Sequence, residues 1–484
     1  MKKIILFLFI SLSTISFSQN IKIDQCYQCH SDLGTVQAEQ FSKDVHKSVG
    51  LSCSSCHGGD NTSDDDQIAM SPKKGFIGKP KASKISEICA KCHSNKDMIK
   101  KYDSNVSTGQ YEELQKSVHG KASTDANTTI AQCTTCHNAH GIVKVSNPAS
   151  PVYPTNIPAT CGKCHSNVSY MQKYNPSLPV DQVDKYRTSK HGILNKSGNK
   201  KAATCNNCHG SHSIFSSKDV RSGVYPTNIP ETCSKCHSNS DYMKEFGIPT
   251  DQYEKYKTSV HGIALKEKND ISAPACNSCH GNHAATPPGI SSISKVCGTC
   301  HALNAELFAG SPHKKAFDEK KYPECETCHS NHAIAVTRDE LLGTSKIAIC
   351  SKCHSEKENT KGYVAAKEMR NMIDNLTMNQ SIANKKISEA EQKGMEVEEI
   401  RFRIREINTS ILEARTVIHS FNMSKFKEVI RKGDATSKEV ITDAKSKIDE
   451  FYFRRYGLVA AIFVSFLLMI LIYLYVKKIE KEKN

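Results

Sequence analysis

Cysteine and histidine are the residues of this chain whose type and spacing carry chemistry, with 22 and 21 copies in 484 residues. Every Cys lies in a C-x-x-C-H motif. The motifs are Cys26-Cys29-His30, Cys53-Cys56-His57, Cys89-Cys92-His93, Cys133-Cys136-His137, Cys161-Cys164-His165 and Cys205-Cys208-His209, followed by Cys233-Cys236-His237, Cys276-Cys279-His280, Cys297-Cys300-His301, Cys325-Cys328-His329 and Cys350-Cys353-His354. Two thiols three residues apart can add to the two vinyl groups of one haem, and the following His is placed to ligate its iron. Zinc sites also use paired C-x-x-C but need no His fixed after each pair. A disulfide framework gives no reason for eleven His in register. The pattern predicts eleven covalently attached c-type haems.

The motifs are embedded in a repeat. VYPTNIPATCGKCHSN at 152–167 recurs as VYPTNIPETCSKCHSN at 224–239. Ser-Val-His-Gly at 117–120 recurs at 259–262, with Ser-Lys-His-Gly at 189–192. The unit is a free His, then C-x-x-C-H-x-x-H, then a second C-x-x-C-H. Five repeats follow, at about 41–102, 111–174, 186–246, 256–310 and 311–359, behind the single Cys26 motif. The spare His that open the repeats are His46, His119, His191, His261 and His313. Those three residues beyond a motif His are His140, His212, His283 and His332. A His at that offset leaves on its own porphyrin's proximal side, so it should reach a neighbouring haem.

These nine spare His, with the distant His419, make ten possible second ligands for eleven irons. At least one iron lacks a His. The first repeat is the defective one, since Gly58-Gly59-Asp60 follows His57 where the others have a His. Met70, Met98, Met171 and Met243 are other soft candidates, with packing their expected role.

Composition agrees. Apolar residues make up 38%, aromatics 7%, and Trp is absent. A conventional side-chain core is hard to build from this. Residues 26–354 give about 30 residues per haem, too few to wrap each in its own core. Haems must then pack together as the interior. The net charge of +15 suits their propionates and is no nucleic-acid signal.

With these motifs the chain resembles the multihaem c-type cytochromes with doubled C-x-x-C-H motifs, a cytochrome c3-like family, over about residues 26–354. The resemblance implies a mostly α and loop fold wrapped on stacked haems, an exported location and electron carriage. It also implies proximal roles for the motif His and distal roles for the spare His. Related proteins bring ligands from C-terminal helices, which makes His419 a further candidate.

The ends of the chain complete the plan. Lys2 and Lys3, then an apolar run and Ser16-Phe17-Ser18, read as a signal peptide over 1–18. Its removal would leave +13. The undecahaem domain then occupies 19–359 and a helical stalk 360–455. Ile400, Ile404, Ile407, Ile411, Ala414 and Ile418 form a helical seam, continued upstream by Met369, Ile373 and Leu376. A hairpin should bend near Gly394, and a last helix should start at about Ala435. Residues 456–476 are apolar enough to cross a bilayer, and the Lys-rich tail at 477–484 should face the cytoplasm.

The expected function is electron transfer from the inner membrane, with the haems in the periplasm. The partners would be a quinol-oxidising or cytochrome b-type membrane protein and a periplasmic or outer-membrane acceptor. The span holds no His for a haem of its own. The alternative is a multihaem reductase of nitrite, hydroxylamine or tetrathionate, which needs an iron with an open position.

Overall fold

The computed structural model describes residues 23–103, 105–123, 131–284, 293–358 and 360–483. The signal-peptide expectation over 1–18 lies outside them. All regular structure among the described residues is helical. The chain divides into two compact bodies, one of residues 1–235 with 281–285, the other of 236–280 with 286–484.

The first body is a run of short helices and tight turns. Two kinds of helix carry the motifs. Second motifs close nine-residue helices, as in Ile85–His93 and Ile157–His165. First motifs of the second and third repeats are five-residue helices, Cys133–His137 and Cys205–His209, each started by a reciprocal capping box on Gln132 or Thr204. The repeated VYPTNIP segment explains itself. Asn156 donates to the carbonyls of Pro148 and Ser150, and Asn228 donates to those of Val220 and Ser222. Thr160 and Thr232 do the same toward Pro151 and Gly223. Side-chain hydrogen bonds thus hold the loop in shape around its buried Tyr153 and Ile157.

The Ser-x-His-Gly motif is a helix start. Ser117, Ser189 and Ser259 are buried, and each hydroxyl accepts from the amide of the Gly three residues on, at 3.0 Å. That Gly packs onto the end of the preceding helix. A Cβ at Gly262 would lie 2.0 Å from the Tyr256 carbonyl oxygen, and one at Gly192 would lie 2.0 Å from that of Tyr186. Gly262→Ala must therefore displace the helix that carries His261. The expected cost is about 1–3 kcal/mol, read as a lower thermal midpoint together with a change in one haem's visible spectrum.

The second body contains the stalk. Its helices are Thr360–Gln392, Glu398–Val417 and Met423–Lys483. Ile400, Ile404, Ile407, Ile411 and Ala414 are buried and pack with Met369, Ile373, Leu376, Phe426, Ile430 and Val440; Ile418 is partly buried at the end of this core. The last helix begins at Met423 rather than near Ala435. Gly433 does not delay it. It is a contact point, where a Cβ would come within 2.9 Å of the Ser410 Cβ and 3.0 Å of Leu376. Beyond Glu450 the same helix continues with its apolar side chains exposed, from Leu458 to Val476. It is long and apolar enough to cross a membrane. Arg415 joins Asp339 by two hydrogen bonds of 2.9 and 2.8 Å, which ties the stalk to the last repeat.

Candidate haem-binding site

Nine pairs of histidine rings face one another, with centroids 5.8 to 6.4 Å apart. Two imidazoles bound to one metal by bonds of about 2 Å have their ring centres about 6 Å apart. The spacing therefore fits an iron porphyrin between each pair.

The pairs follow two rules. An opening His faces the second motif of its own repeat: His46 with His93, His119 with His165, His261 with His301, and His313 with His354. A His three residues beyond a motif faces the first motif of the preceding repeat. These pairs are His140 with His57, His212 with His137, His283 with His209 and His332 with His280, their ring planes within 12°. His57 thus has a partner although its own repeat lacks the extra His. The fifth repeat has no successor, and His329 faces His419 instead, at 6.1 Å. His419 lies on the single 3-10 turn Ile418–Ser420 that ends the second stalk helix. Phe421 follows with φ +49° and lays its ring 3.7 Å from that of His313. His191 is on the helix Lys190–Lys196, in the register of the other opening His, and His237 ends the helix Ile229–His237.

Hydrogen bonds aim several rings. His46 Nδ1 is 2.8 Å from the Asp44 carboxylate, His57 Nδ1 2.9 Å from the Gly78 carbonyl, and His419 Nδ1 2.9 Å from that of Thr416. Donation from Nδ1 leaves Nε2 as the lone-pair atom available to a metal. Burial keeps many of the rings neutral, the state that can ligate. It pushes His119 down to about 4, with His165 adding to the effect, and lowers His93, His137, His140, His165, His209, His212, His237, His261, His280, His283, His313, His329 and His332.

Asp44 is an anchor that sequence reading missed. It is 3% exposed. One carboxylate oxygen accepts from the amide and ring of His46, the other from the Ile142 amide at 2.7 Å. Burial alone would raise this carboxyl, but these bonds outweigh it and hold it below the usual range. Asp44 fills the capping position that Ser117, Ser189 and Ser259 fill in later repeats. Aligning Asp44-Val45-His46 with Ser-Val-His would have revealed it. It positions both His46 and the His140 segment. Asp44→Ala should therefore disturb two haems, those facing His93 and His57, and cost about 1–3 kcal/mol for stranded donors. Electron paramagnetic resonance resolving two altered signals, with the others unmoved, checks this.

The thiols show the order of the motifs in space. None of the described cysteines is in a disulfide. In the first body, Cys53 is pushed up to about 11 by burial, then by Asp24 and by Cys26. Cys56 is raised by burial and then by Cys92, and Cys136 by burial and then by Cys164. Cys89 lies close enough to Cys133, and Cys161 to Cys205, for each to shift the other's ionisation. Six consecutive motifs thus lie near one another in sequence order. In the second body Cys279 lies near Cys297, Cys297 near Cys325, and Cys328 near Cys350. Met171 and Met243 are buried, as packing requires, whereas Met98 and Met70 are 41% and 40% exposed.

Residues 45–166 match the cytochrome c3 family, 313–359 the doubled CXXCH motif family, and 11–58 the cytochrome c554 and c-prime family. A C-type polyheme cytochrome, OmcC of Geobacter sulfurreducens, is 21% identical over 302 residues, which cover 54% of this chain and 37% of that protein. This chain therefore spans well under half the length of that relative. No solved structure matches the chain. The motif pattern, the paired imidazoles and these matches together make the chain a multihaem c-type cytochrome with doubled C-x-x-C-H motifs.

Proposed function

We propose that this cytochrome is a membrane-anchored electron carrier. It holds eleven haems on its eleven motifs. The motif His are the proximal ligands, and His46, His119, His140, His191, His212, His261, His283, His313, His332 and His419 the distal ones. Haem iron supplies one-electron chemistry when bound. The polypeptide supplies spacing, and a second His that closes iron against substrates.

The observation that carries the reading is the set of nine facing imidazole pairs, each spaced to hold one iron, on motifs along the chain. Electron tunnelling falls steeply with distance, so closely spaced haems would pass charge along. The exposed apolar stretch of the last helix supports a single span. The haem part then faces the periplasm from the inner membrane. The donor and acceptor are a quinol-oxidising or cytochrome b-type membrane partner and a periplasmic or outer-membrane protein.

Mass spectrometry of the mature native chain should show eleven covalent haems. Protease added to spheroplasts should digest the haem part and spare the membrane helix. Far fewer haems, or a protein that fractionates without membranes, would overturn the proposal.

A further inference from the structure

The ligand register locates the iron that no histidine closes. Each His three residues beyond a first motif faces the preceding first motif: His140 to His57, His212 to His137, His283 to His209, His332 to His280. The motif before Cys53 is Cys26-Cys29-His30, and the residue in the register position is Asp60. The gap in the first repeat therefore falls one motif upstream, on His30. Among the described residues no His ring faces His30, which is exposed.

The loop that carries Asp60 is built against the Cys26 helix. The Gln25 amide donates to the Asn61 carbonyl at 2.9 Å. Gly58 and Gly59 have φ +67° and +89°, and a Cβ on either would strike the Gly75 or Ala69 carbonyl oxygen, at 2.0 and 2.3 Å. Only this Gly-Gly turn lets the chain fold back so closely. Asp60 accepts from the Thr62 amide and hydroxyl, at 3.1 and 2.6 Å, and pairs with Lys74 at 3.4 Å. Its oxygens are committed to these partners, which argues against its serving as an iron ligand.

We propose that the haem on Cys26 and Cys29 is held by His30 alone, with an exchangeable coordination position on the side fronted by Asp60. The position suits a small ligand, water at rest or a diatomic gas, since the loop of Asp60 folds back closely over this side. This inference rests on the haem-bearing reading above.

The test uses the full-length membrane protein. Reduced protein titrated with carbon monoxide should bind one equivalent, and the resting protein should show one high-spin haem among low-spin ones. Asp60→His should abolish both the uptake and the high-spin signal. Asp60→Ala should keep both. Absence of carbon monoxide uptake in the native protein would overturn the proposal, as would uptake unchanged by Asp60→His in a protein with its full haem content. A high-spin signal that arises only in Asp60→Ala would also overturn it, by making the carboxylate itself the ligand. The covalent haem count is read on the same samples. A failure of the open site with eleven haems present leaves the carrier reading standing, and a low haem count sinks that reading instead.

Discussion

Produced without haem attachment, the chain should lose the structure of residues 23–358 while the stalk stays helical. Buried apolar side chains decide this. Among the described residues fourteen, from Ala38 to Ala348, lie in that long stretch, whereas eighteen lie between Ala366 and Ile448. Spread over more than three hundred residues, those fourteen form no contiguous cluster of their own among the described residues, so little but the haems could fill that interior. The stalk has three long helices around one contiguous core. Limited proteolysis of the haem-free chain should therefore stop near residue 360, and circular dichroism should retain only the stalk and membrane-helix signal. A haem-free form that resists protease from its mature N-terminus would refute the idea that porphyrins serve as the interior.

The second large effect is expected at His419. Replacement by Ala removes the ring that faces His329, so one haem should convert from low-spin to a ligand-binding form while the others hold their spectra. His419→Met should restore a sixth ligand and raise the potential of that haem, by on the order of 0.1 V out of the ~0.8 V that axial ligands span. The stalk core does not depend on His419, since the ring stands on the 3-10 turn beyond Val417. Thermal unfolding of the stalk should therefore be unchanged. The Arg415–Asp339 pair next to this turn holds the stalk and the last repeat in register. Spectra identical at every haem in His419→Ala would remove the stalk from the electron path.

Cofactor class, helical class and the apolar last helix could be read from residues alone because each depends on local spacing. A C-x-x-C-H motif is one helical turn with its chemistry attached, and the stalk seam is a helix repeat whose buried face follows from its period. The start of the last helix was misplaced for a related reason. Gly433 is a poor helix former in isolation, and the close packing of Leu376 and Ser410 that favours it is a tertiary fact. Asp44 was missed because a carboxylate among Lys-rich loops looks like a solvated surface charge until its oxygens are seen to be buried.

The sequence by itself determined that eleven motif His stand against ten other His, so that one motif His has no possible His partner. Only the tertiary structure decided who faces whom. His57 meets His140 from the next repeat, and His329 meets His419 from the stalk. These separations are long in sequence, and nothing local sets them. They are set by chain ties such as Val45 to Ile142, Val118 to Ile214 and Val260 to Ile334, which clasp one repeat onto the next. By that offset a His in place of Asp60 would face His30 rather than His57, because a histidine at the end of a rigid turn reaches only the neighbour its backbone is bound against.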